Sequence, residues 1–372
     1  MNIILFLTFG LSLQDWKASG LLDRELELYK RLSEKFDLNI SIVTYGDISD
    51  LDFEYRFKNL QIIPIFKHFR KYNGKFILLL QSLVFPFYIK KISGKNFDII
   101  KTNQLMGCWS AIILKFITRK KLIIRTGYDL YTFSKYDKKS ILKRFSYLIL
   151  TIISLFISNL YTVSSNSDYS LLKNKILVNK KKLVVRKNWV DTESLQISNI
   201  SNKQVLAVGR LEKQKDFETL IKLFNKLPYS LDIVGDGSLK NYLKSISNTN
   251  ITFIDKLDHQ KLLETYSNYK IYISFSDYEG NSKTLLEAMG SKCLVLASNI
   301  KNNSEIIEDG INGYLINKNQ PSKIIEKLNY IYENENICTE ITENAYKYIV
   351  DNHSLNGYVL NEYNDYKHLL SN

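Results

Sequence analysis

The sequence predicts an α/β protein of two doubly wound domains, each a parallel sheet covered by helices. Three observations predict this class. Apolar, β-branched segments alternate with segments of helical spacing, the alternation restarts near residue 204, and the net charge changes sign in the same region. Its 372 residues suffice for two domains of ordinary size. We expect a cleft between the domains, with ligands bound beyond the carboxyl ends of the strands.

The first half opens with an apolar run, residues 2–9, that ends at Gly10. It lacks the basic start and the small-residue cleavage site of a secretory signal, so it is predicted to be a buried strand. Residues 147–163 form the longest apolar run, which is shorter than the roughly 20 residues of a membrane-spanning helix. We expect it to be buried. Further predicted elements are a helix over residues 20–36 and strands over residues 38–44, 97–101, 121–125 and 159–163.

The second half repeats the alternation from residue 204 onward. The stretch 186–201 is rich in Asn and Ser, so the domain boundary is placed there. A last segment, residues 355–370, has helical spacing. The strands predicted in this half are residues 205–208, 231–234, 251–254, 271–275 and 293–297, and the helices are residues 217–226 and 240–247.

The charge is distributed unequally between the halves. Residues 1–190 hold 32 Lys and Arg against 14 Asp and Glu, a net charge of +18, whereas residues 191–372 hold 19 against 24, a net charge of −5. A basic half suits an anionic partner such as nucleic acid, a phosphorylated ligand or an anionic lipid leaflet. No nucleic-acid-binding module is recognisable. The three cysteines lack metal-ligand spacing and are predicted to be buried thiols.

The segment SDYEGNSKTLLEAMG, residues 276–290, carries two carboxylates eight residues apart. Glu279 follows a predicted strand, and Glu287 lies inside the helix that follows. Ser282 is a candidate N-cap, which leaves backbone N–H groups at a helix N-terminus that favours anions. Carboxylates on both sides of such a turn suit a ligand with hydroxyl groups flanking a diphosphate. The alternative is a pair of solvated surface carboxylates.

A second segment, VGRLEKQK, places two cations after another predicted strand. Gly209 allows close approach of the backbone, and Arg210 and Lys215 can neutralise a departing diphosphate. The alternative for Arg210 is an ion pair with Glu212 or Glu218. The turn at residues 235–237, GDG, imitates part of a dinucleotide fingerprint. Because the third glycine is missing, a dehydrogenase is disfavoured.

These motifs resemble glycosyltransferase family 4, the retaining enzymes of the GT-B fold. The resemblance rests on Glu279 with Glu287, on Arg210 with Lys215 and on the GDG turn. It extends to FGLSLQDWKASGLLDRE, RTGYDL and NWVD, and it covers nearly the whole chain in the expected order. The first two of these segments resemble bacterial members that build surface polysaccharides. The implied domains are residues 1–187 for the acceptor and 188–354 for the donor, with residues 355–372 packing back on the first.

The resemblance also implies roles for individual residues. Arg210 and Lys215 would hold the donor diphosphate, Glu287 the ribose hydroxyls, and Glu279 the donor sugar while it stabilises positive charge at the anomeric carbon. The further implied donor contacts are the backbone at Gly10, Gly209, Gly280, Asn281 and Ser282. A nucleotide-sugar, UDP- or GDP-linked, is the implied donor, and neither a metal nor a cofactor is implied.

The acceptor side departs from the family pattern. Many members have a His-Asp pair where this chain has Tyr128 and Asp129, so these two residues are weaker acceptor candidates. The expected function is retaining transfer of a sugar to a glycan or a polyprenyl-diphosphate-linked acceptor in bacterial surface polysaccharide assembly. The alternative is a catalytically inactive scaffold of GT-B type in an assembly complex.

A membrane surface is the expected partner of the basic half. Residues 66–95 interleave Lys and Arg with aromatic and aliphatic residues, and residues 135–144 extend the basic character. The segment is either interfacial, touching anionic lipid, or an amphipathic helix packed on the first sheet with snorkelling lysines. The expected location is cytoplasmic, on the inner face of the cytoplasmic membrane. Asp50 and Asp52 match a D-x-D motif, and they are predicted to be solvated loop residues.

Overall fold

The computed structural model describes residues 1–93, 96–175, 182–197 and 205–371. The chain forms two compact units. The first contains Met1–Arg186 together with Val359–Asn372, and the second contains Lys187–Tyr358. The first of these divisions lies at the start of the predicted boundary stretch, 186–201. Residues 198–201 of that stretch lie outside the described residues.

The first unit is built on a seven-stranded parallel sheet in the order β3-β2-β1-β4-β5-β6-β7. Parallel strands covered on both faces read as continuous apolar runs, which explains why most of them were predicted from the sequence. The order reverses beside the first strand, which is where doubly wound sheets bind ligands. The strands are β1 (Asn2–Phe6), β2 (Asn39–Thr44), β3 (Leu60–Pro64), β4 (Ile99–Thr102), β5 (Lys121–Arg125), β6 (Leu160–Val163) and β7 (Leu183–Val185).

Helices cover both faces of this sheet. On one face, three helices share a single core, to which they contribute Phe85, Leu114 and Leu155. Two short 3₁₀ helices, Ile48–Arg56 and Ile65–Lys67, flank β3. The α-helices are α1 (Leu13–Ala18), α2 (Leu22–Phe36), α3 (Lys75–Ser93), α4 (Cys108–Thr118), α5 (Leu130–Tyr136), α6 (Ile141–Ile157) and α7 (Asn166–Lys175).

The second unit has a six-stranded parallel sheet in the order β10-β9-β8-β11-β12-β13. The first strand of this unit, β8, lies beside β11, so the loops that follow these two strands meet at one edge. The strands are β8 (Val205–Val208), β9 (Leu231–Val234), β10 (Ile251–Ile254), β11 (Ile271–Ser274), β12 (Leu294–Ser298) and β13 (Tyr314–Ile316). The helices are α8 (Phe217–Phe224), α9 (Lys240–Ser245), α10 (His259–Tyr266), α11 (Lys283–Gly290), α12 (Pro321–Glu333) and α13 (Glu335–His353).

The last helix, α14 (Leu355–Ser371), starts in the second unit and ends in the first. Its Glu362 pairs with the buried ammonium of Lys101 on β4, and Tyr366 donates a hydrogen bond to the same carboxylate. Burial alone would raise the pKa of Glu362. The Lys101 ammonium and the hydrogen bonds outweigh burial and lower that pKa below its ordinary value. Arg186 forms a two-pronged ion pair with Asp365 one turn further along the helix.

Three sequence predictions need correction. Asp50 is fully buried rather than solvated, because its carboxylate accepts hydrogen bonds from Thr44 and from the backbone N–H groups of Leu13 and Gln14. The apolar run 147–163 is not buried throughout, because Ile149, Ile153 and Phe156 of α6 are exposed. The first strand, β1, ends at Phe6 rather than at residue 9. The three cysteines are buried as predicted, and none forms a disulfide.

Candidate active site

The loops after β8 and β11 come together because their strands are neighbours in the sheet. Lys215 lies in a 3₁₀ turn after β8, and its ammonium pairs with the Glu279 carboxylate from the loop after β11. The hydroxyl of Ser276 donates a hydrogen bond to the same carboxylate at 2.7 Å. Only 13% of the Lys215 side chain and 9% of the Glu279 side chain are exposed. The predicted diphosphate cation and the predicted sugar carboxylate therefore touch each other.

Arg210 lies beside this pair, with its guanidinium exposed. Its Nη2 donates a hydrogen bond to Oε1 of Gln214 at 3.3 Å. Within the described part of the chain it forms no ion pair, because Glu212 accepts from Ser238 and Glu218 pairs with Lys222. The alternative partners considered for Arg210 are thus engaged elsewhere, and the guanidinium can reach an anion from solvent.

Gln214 joins the two loops, although the sequence does not mark it. The side-chain amide of Gln214 donates a hydrogen bond to the backbone carbonyl of Tyr278 at 2.8 Å. The backbone carbonyl of Gln214 accepts one from the backbone N–H of Asp277 at 2.9 Å. Lys318, which follows β13, also contributes here. Its ammonium contacts the carboxylates of Asp216 and Asp277. Both loops are therefore held by contacts from distant parts of the chain.

The glycines of the GDG turn serve close packing of the backbone. A Cβ added to Gly235 would lie 2.0 Å from the carbonyl oxygen of Gly209, and one added to Gly237 would lie 2.5 Å from that of Leu211. Leu211 also donates its N–H to the carbonyl of Asp236 at 2.9 Å. The turn therefore lies directly against the loop that carries Arg210. A Cβ on Gly209 would press on the Lys215 side chain at 3.3 Å.

Gly280, Asn281 and Ser282 lead into α11, which begins at Lys283. Ser282 occupies the N-cap position as predicted, but its hydroxyl contacts Thr284 Oγ1 at 3.2 Å instead of capping a backbone N–H. In the described chain, the backbone N–H groups of Thr284 and Leu285 have no acceptor. An uncapped helix N-terminus of this kind favours an anion.

Asn281 fixes the loop from behind. Its side-chain oxygen accepts from the backbone N–H of Asn188 at 2.9 Å, and its carbonyl accepts from the Asn188 side chain at 2.6 Å. Nδ1 of His353 lies 2.8 Å from the Asn188 carbonyl, so this ring nitrogen donates to it. The NWVD segment thereby positions the loop that leads into α11. His353 was not predicted to contribute.

Glu287 is buried in α11, only 1% exposed. Oε1 of its carboxylate lies 3.1 Å from Nε2 of His259, and the hydroxyl of Tyr266 lies 3.4 Å from Oε2. Both partners belong to α10. Among the described residues, no group of three or more His, Cys, Asp or Glu side chains is arranged to hold a metal ion.

Comparisons with known proteins agree with this geometry. Residues 191–348 match the family described as glycosyl transferases group 1. An uncharacterised glycosyltransferase of Methanocaldococcus jannaschii is 28% identical over 358 residues, covering 88% of this chain and 89% of that protein. The capsular polysaccharide biosynthesis glycosyltransferase CapH of Staphylococcus aureus is 25% identical over 309 residues, covering 76% of this chain and 79% of CapH.

Solved structures support the same assignment. Sucrose-phosphate synthase from Thermosynechococcus elongatus matches with a TM-score of 0.84 at 17% identity, covering 100% of this chain and 99% of that one. HepE from Anabaena, in complex with UDP and glucose, matches with a TM-score of 0.76 at 15% identity, covering 99% of this chain and 100% of that one. The chain is a glycosyltransferase of the GT-B type. The fold class predicted from the sequence is confirmed.

In the first unit of this glycosyltransferase, the predicted residues have clear local roles. Gly10 follows β1 in the left-handed region, with φ of +80°, which favours glycine. Asp129 is buried and caps α5 by accepting from the N–H of Thr132 at 2.7 Å. Tyr128 is partly exposed and stacks on Phe133, with ring centroids 4.2 Å apart. Contact of these residues with an acceptor stays a prediction.

The burial of His353 makes the stability of the protein depend on pH. Burial lowers the pKa of His353 from 6.5 to about 4. Below pH 6.5, His353 becomes protonated in the unfolded chain but stays neutral in the folded chain. The contribution of this residue to the free energy of unfolding is therefore fully present above that pH and is lost as the pH falls towards 4. We expect a loss of about 2 kcal/mol between about pH 7.5 and pH 5.

The measurement is urea unfolding of the whole protein at both pH values. In the variant His353→Asn, the side-chain amide can replace the Nδ1–H donor and does not titrate. The decrease in its free energy of unfolding between the two pH values should therefore be smaller than in the wild type by about 2 kcal/mol. An equal loss in the variant and the wild type would show that other groups cause the pH dependence.

Proposed function

We propose that this protein is a retaining glycosyltransferase that uses a nucleoside diphosphate sugar and no metal. Its acceptor would be a lipid-linked glycan at a membrane surface, in the assembly of a bacterial surface polysaccharide. The observation that carries the proposal is the shielded ion pair of Lys215 with Glu279 beside the open N-terminus of α11. One side of this site suits a diphosphate, and the other suits a sugar that develops positive charge.

The donor's diphosphate would lie against Arg210, Lys215 and the first turn of α11. Two cations and a helix N-terminus can stabilise the negative charge of the leaving group without a metal. Lys215 would then shift part of its interaction from Glu279 to the phosphate. Glu287 would accept hydrogen bonds from the two ribose hydroxyls, because an ionised carboxylate offers two acceptor oxygens side by side.

The transfer step would take place on one face of the sugar. The bond between the anomeric carbon and the diphosphate oxygen breaks, and the acceptor oxygen bonds to the same face of that carbon. The acceptor's proton passes to the departing phosphate oxygen, so no side chain has to act as base. Glu279 would stabilise the positive charge that builds up on the anomeric carbon.

The relatives support the substrate class. HepE was solved with UDP and glucose, and CapH is named for capsular polysaccharide biosynthesis. The HepE complex makes UDP the first nucleotide to test. The name of CapH makes a surface glycan the first acceptor class to test. The similarity is too low to transfer a sugar or a linkage to this chain.

Binding of a nucleoside diphosphate is the first prediction of this proposal. UDP, GDP and ADP are titrated calorimetrically into the purified protein, with EDTA and then with Mg²⁺. One of the three should bind without metal, and Glu287→Ala should weaken binding by about 1–3 kcal/mol because charged hydrogen bonds are lost. Glu326→Ala, which removes an exposed carboxylate of α12, is the matched control. Absence of binding by all three would favour the inactive scaffold.

Retention of configuration is the second prediction. Proton NMR of the product should show the donor's anomeric configuration at the new glycosidic bond, because bond making and bond breaking share one face. A product of opposite configuration would exclude the front-face mechanism.

The first unit has an apolar outer surface that a lipid layer could cover. α4 lies between α3 and α6: Trp109 donates to Ser82 of α3 at 2.7 Å, and Cys108 contacts Ser154 of α6 at 3.2 Å. Phe116 of α4 is exposed as well. The exposed apolar side chains of the flanking helices are Phe76, Ile77, Leu79, Leu80, Leu83, Val84, Phe87 and Ile92 on α3, and Ile141, Leu142, Phe145, Ile149, Ile153 and Phe156 on α6.

Neither sequence interpretation of residues 66–95 is complete by itself. α3 does pack on the sheet, through Phe85 and Ile89, but most of its apolar side chains face outward. By length and composition this helix could cross a membrane. Its neighbours in the chain, β3 and β4, belong to one sheet, so both of its ends return to the same side. An interfacial position is therefore favoured over a span.

Exposed cations flank this apolar surface and suit anionic lipid. Lys75 and Lys91 lie near the two ends of α3, and Lys138 and Lys143 lie near the start of α6. Apolar side chains can enter the acyl boundary while the cations stay among the phosphates. This arrangement supports a peripheral location on an anionic leaflet, where a polyprenyl-diphosphate carrier would also be found.

Membrane binding is the third prediction from this proposal. The protein should sediment with vesicles of phosphatidylcholine containing phosphatidylglycerol, and less with phosphatidylcholine alone. Replacing Phe76, Leu80 and Phe87 together by Ser should weaken binding at least about tenfold, because three apolar side chains no longer leave water. The control is Ile337→Ser on α13 of the second unit. Binding that the triple variant leaves unchanged, or no binding at all, would contradict the proposed surface.

A further inference from the structure

Two side chains from α10 contact the Glu287 carboxylate, and the proposed ribose contact does not by itself require them. The carboxylate is almost completely removed from solvent, and one partner approaches each oxygen: His259 Nε2 at 3.1 Å from Oε1 and Tyr266 OH at 3.4 Å from Oε2. An ionised carboxylate in such a place is costly unless it is hydrogen-bonded or paired. The two contacts therefore have an energetic role, whatever binds in front of them.

Both contacts come from one face of α10. His259 and Tyr266 are seven residues apart, two helical turns, so they project in the same direction. Asp258 fixes the start of the helix by accepting from the N–H of Lys261 at 2.9 Å. Leu263, between the two, packs into the same core as Leu286 of α11. The position of the His259 ring is thus set by a capped and packed helix.

The hydrogen at His259 can be assigned. An ionised carboxylate only accepts hydrogen bonds, so Nε2 must carry the proton whether the ring is neutral or charged. The Tyr266 hydroxyl donates in the same way. Together they fix the plane of the carboxylate, which decides whether its two oxygens can face two neighbouring hydroxyl groups at once.

We propose that His259 is a positioning residue for the nucleotide, which acts by holding the Glu287 carboxylate in the orientation that accepts both hydroxyls of a ribose. Tyr266 assists through the other oxygen at a longer distance. The inference rests on the proposed function, because it takes Glu287 to be the ribose contact. The inference adds His259 of α10 to the residues that act on the nucleotide. As a consequence, the site prefers nucleoside diphosphates whose sugar has two neighbouring hydroxyl groups.

The test compares ribose with 2′,3′-dideoxyribose. Calorimetry with UDP, GDP and ADP and with their dideoxy forms gives a ratio of affinities for each protein variant. The wild type should prefer the ribose form. His259→Ala should reduce that preference about five- to thirtyfold, mainly by weakening the ribose form, as expected when a charged hydrogen bond is lost. A role limited to folding would weaken both forms equally and leave the ratio unchanged.

Two further variants keep the test decisive if His259→Ala is poorly folded. His259→Gln retains an N–H donor that can reach the carboxylate, so it should restore most of the preference. Tyr266→Phe removes only the hydroxyl and should reduce the preference less than His259→Ala does, because its contact is longer. Thermal unfolding of each variant confirms that the protein is folded at the titration temperature.

The outcomes separate the two proposals. A wild type that prefers ribose, with a ratio that His259→Ala leaves unchanged, overturns the positioning role but leaves the proposed function intact. A wild type that binds the ribose and dideoxy forms equally overturns the inference and also the ribose contact of Glu287. Failure of all six nucleotides to bind overturns the proposed function and the inference with it.

Discussion

The ion pair between Lys215 and Glu279 joins two loops that lie 64 residues apart in the chain. Its existence depends on the sheet order, because β8 and β11 are neighbours although β9 and β10 lie between them in the sequence. A shielded charge left without its partner destabilises a protein far more than an intact pair stabilises it. Gln214 and Lys318 support the pair, because their contacts hold both loops where the charges can meet.

In the structure, Glu279 compensates the charge of Lys215, and Ser276 supplies a further hydrogen bond to the carboxylate. In the proposed reaction, an arriving diphosphate would compete for the ammonium, and the positive charge that develops on the sugar would compete for the carboxylate. Each group would then exchange one partner for another of similar charge. Little rearrangement would be needed, and preorganised charges of this kind are effective in catalysis.

Most of the fold was predictable from the sequence, whereas the contacts that support the candidate site were not. The strands β8 and β12 could be recognised because all of their four and five residues are buried and mostly apolar. By contrast, β7 and β13 have only three residues each, and β3 ends in Pro64. Arg210, Lys215 and Glu279 could be singled out because they follow strand ends at family spacing, and Glu287 because it lies eight residues after Glu279. His259 and Lys318 could not, because no local pattern brings His259 to Glu287 or Lys318 to Asp216. Asp50 was misread for the same reason.

The last helix supplies the partner of a buried charge in the first unit. Lys101 lies on a central strand of the first unit and is 1% exposed, and its carboxylate partner Glu362 arrives only with the final residues. Without the Glu362 carboxylate, the ammonium would be buried and uncompensated, which costs several kcal/mol in comparable cases, roughly 3–5. Leu355 at the start of α14 is bonded to Val190 in the second unit. The first unit is therefore complete only after residues 359–371 have been made, and these follow the whole of the second unit in the chain.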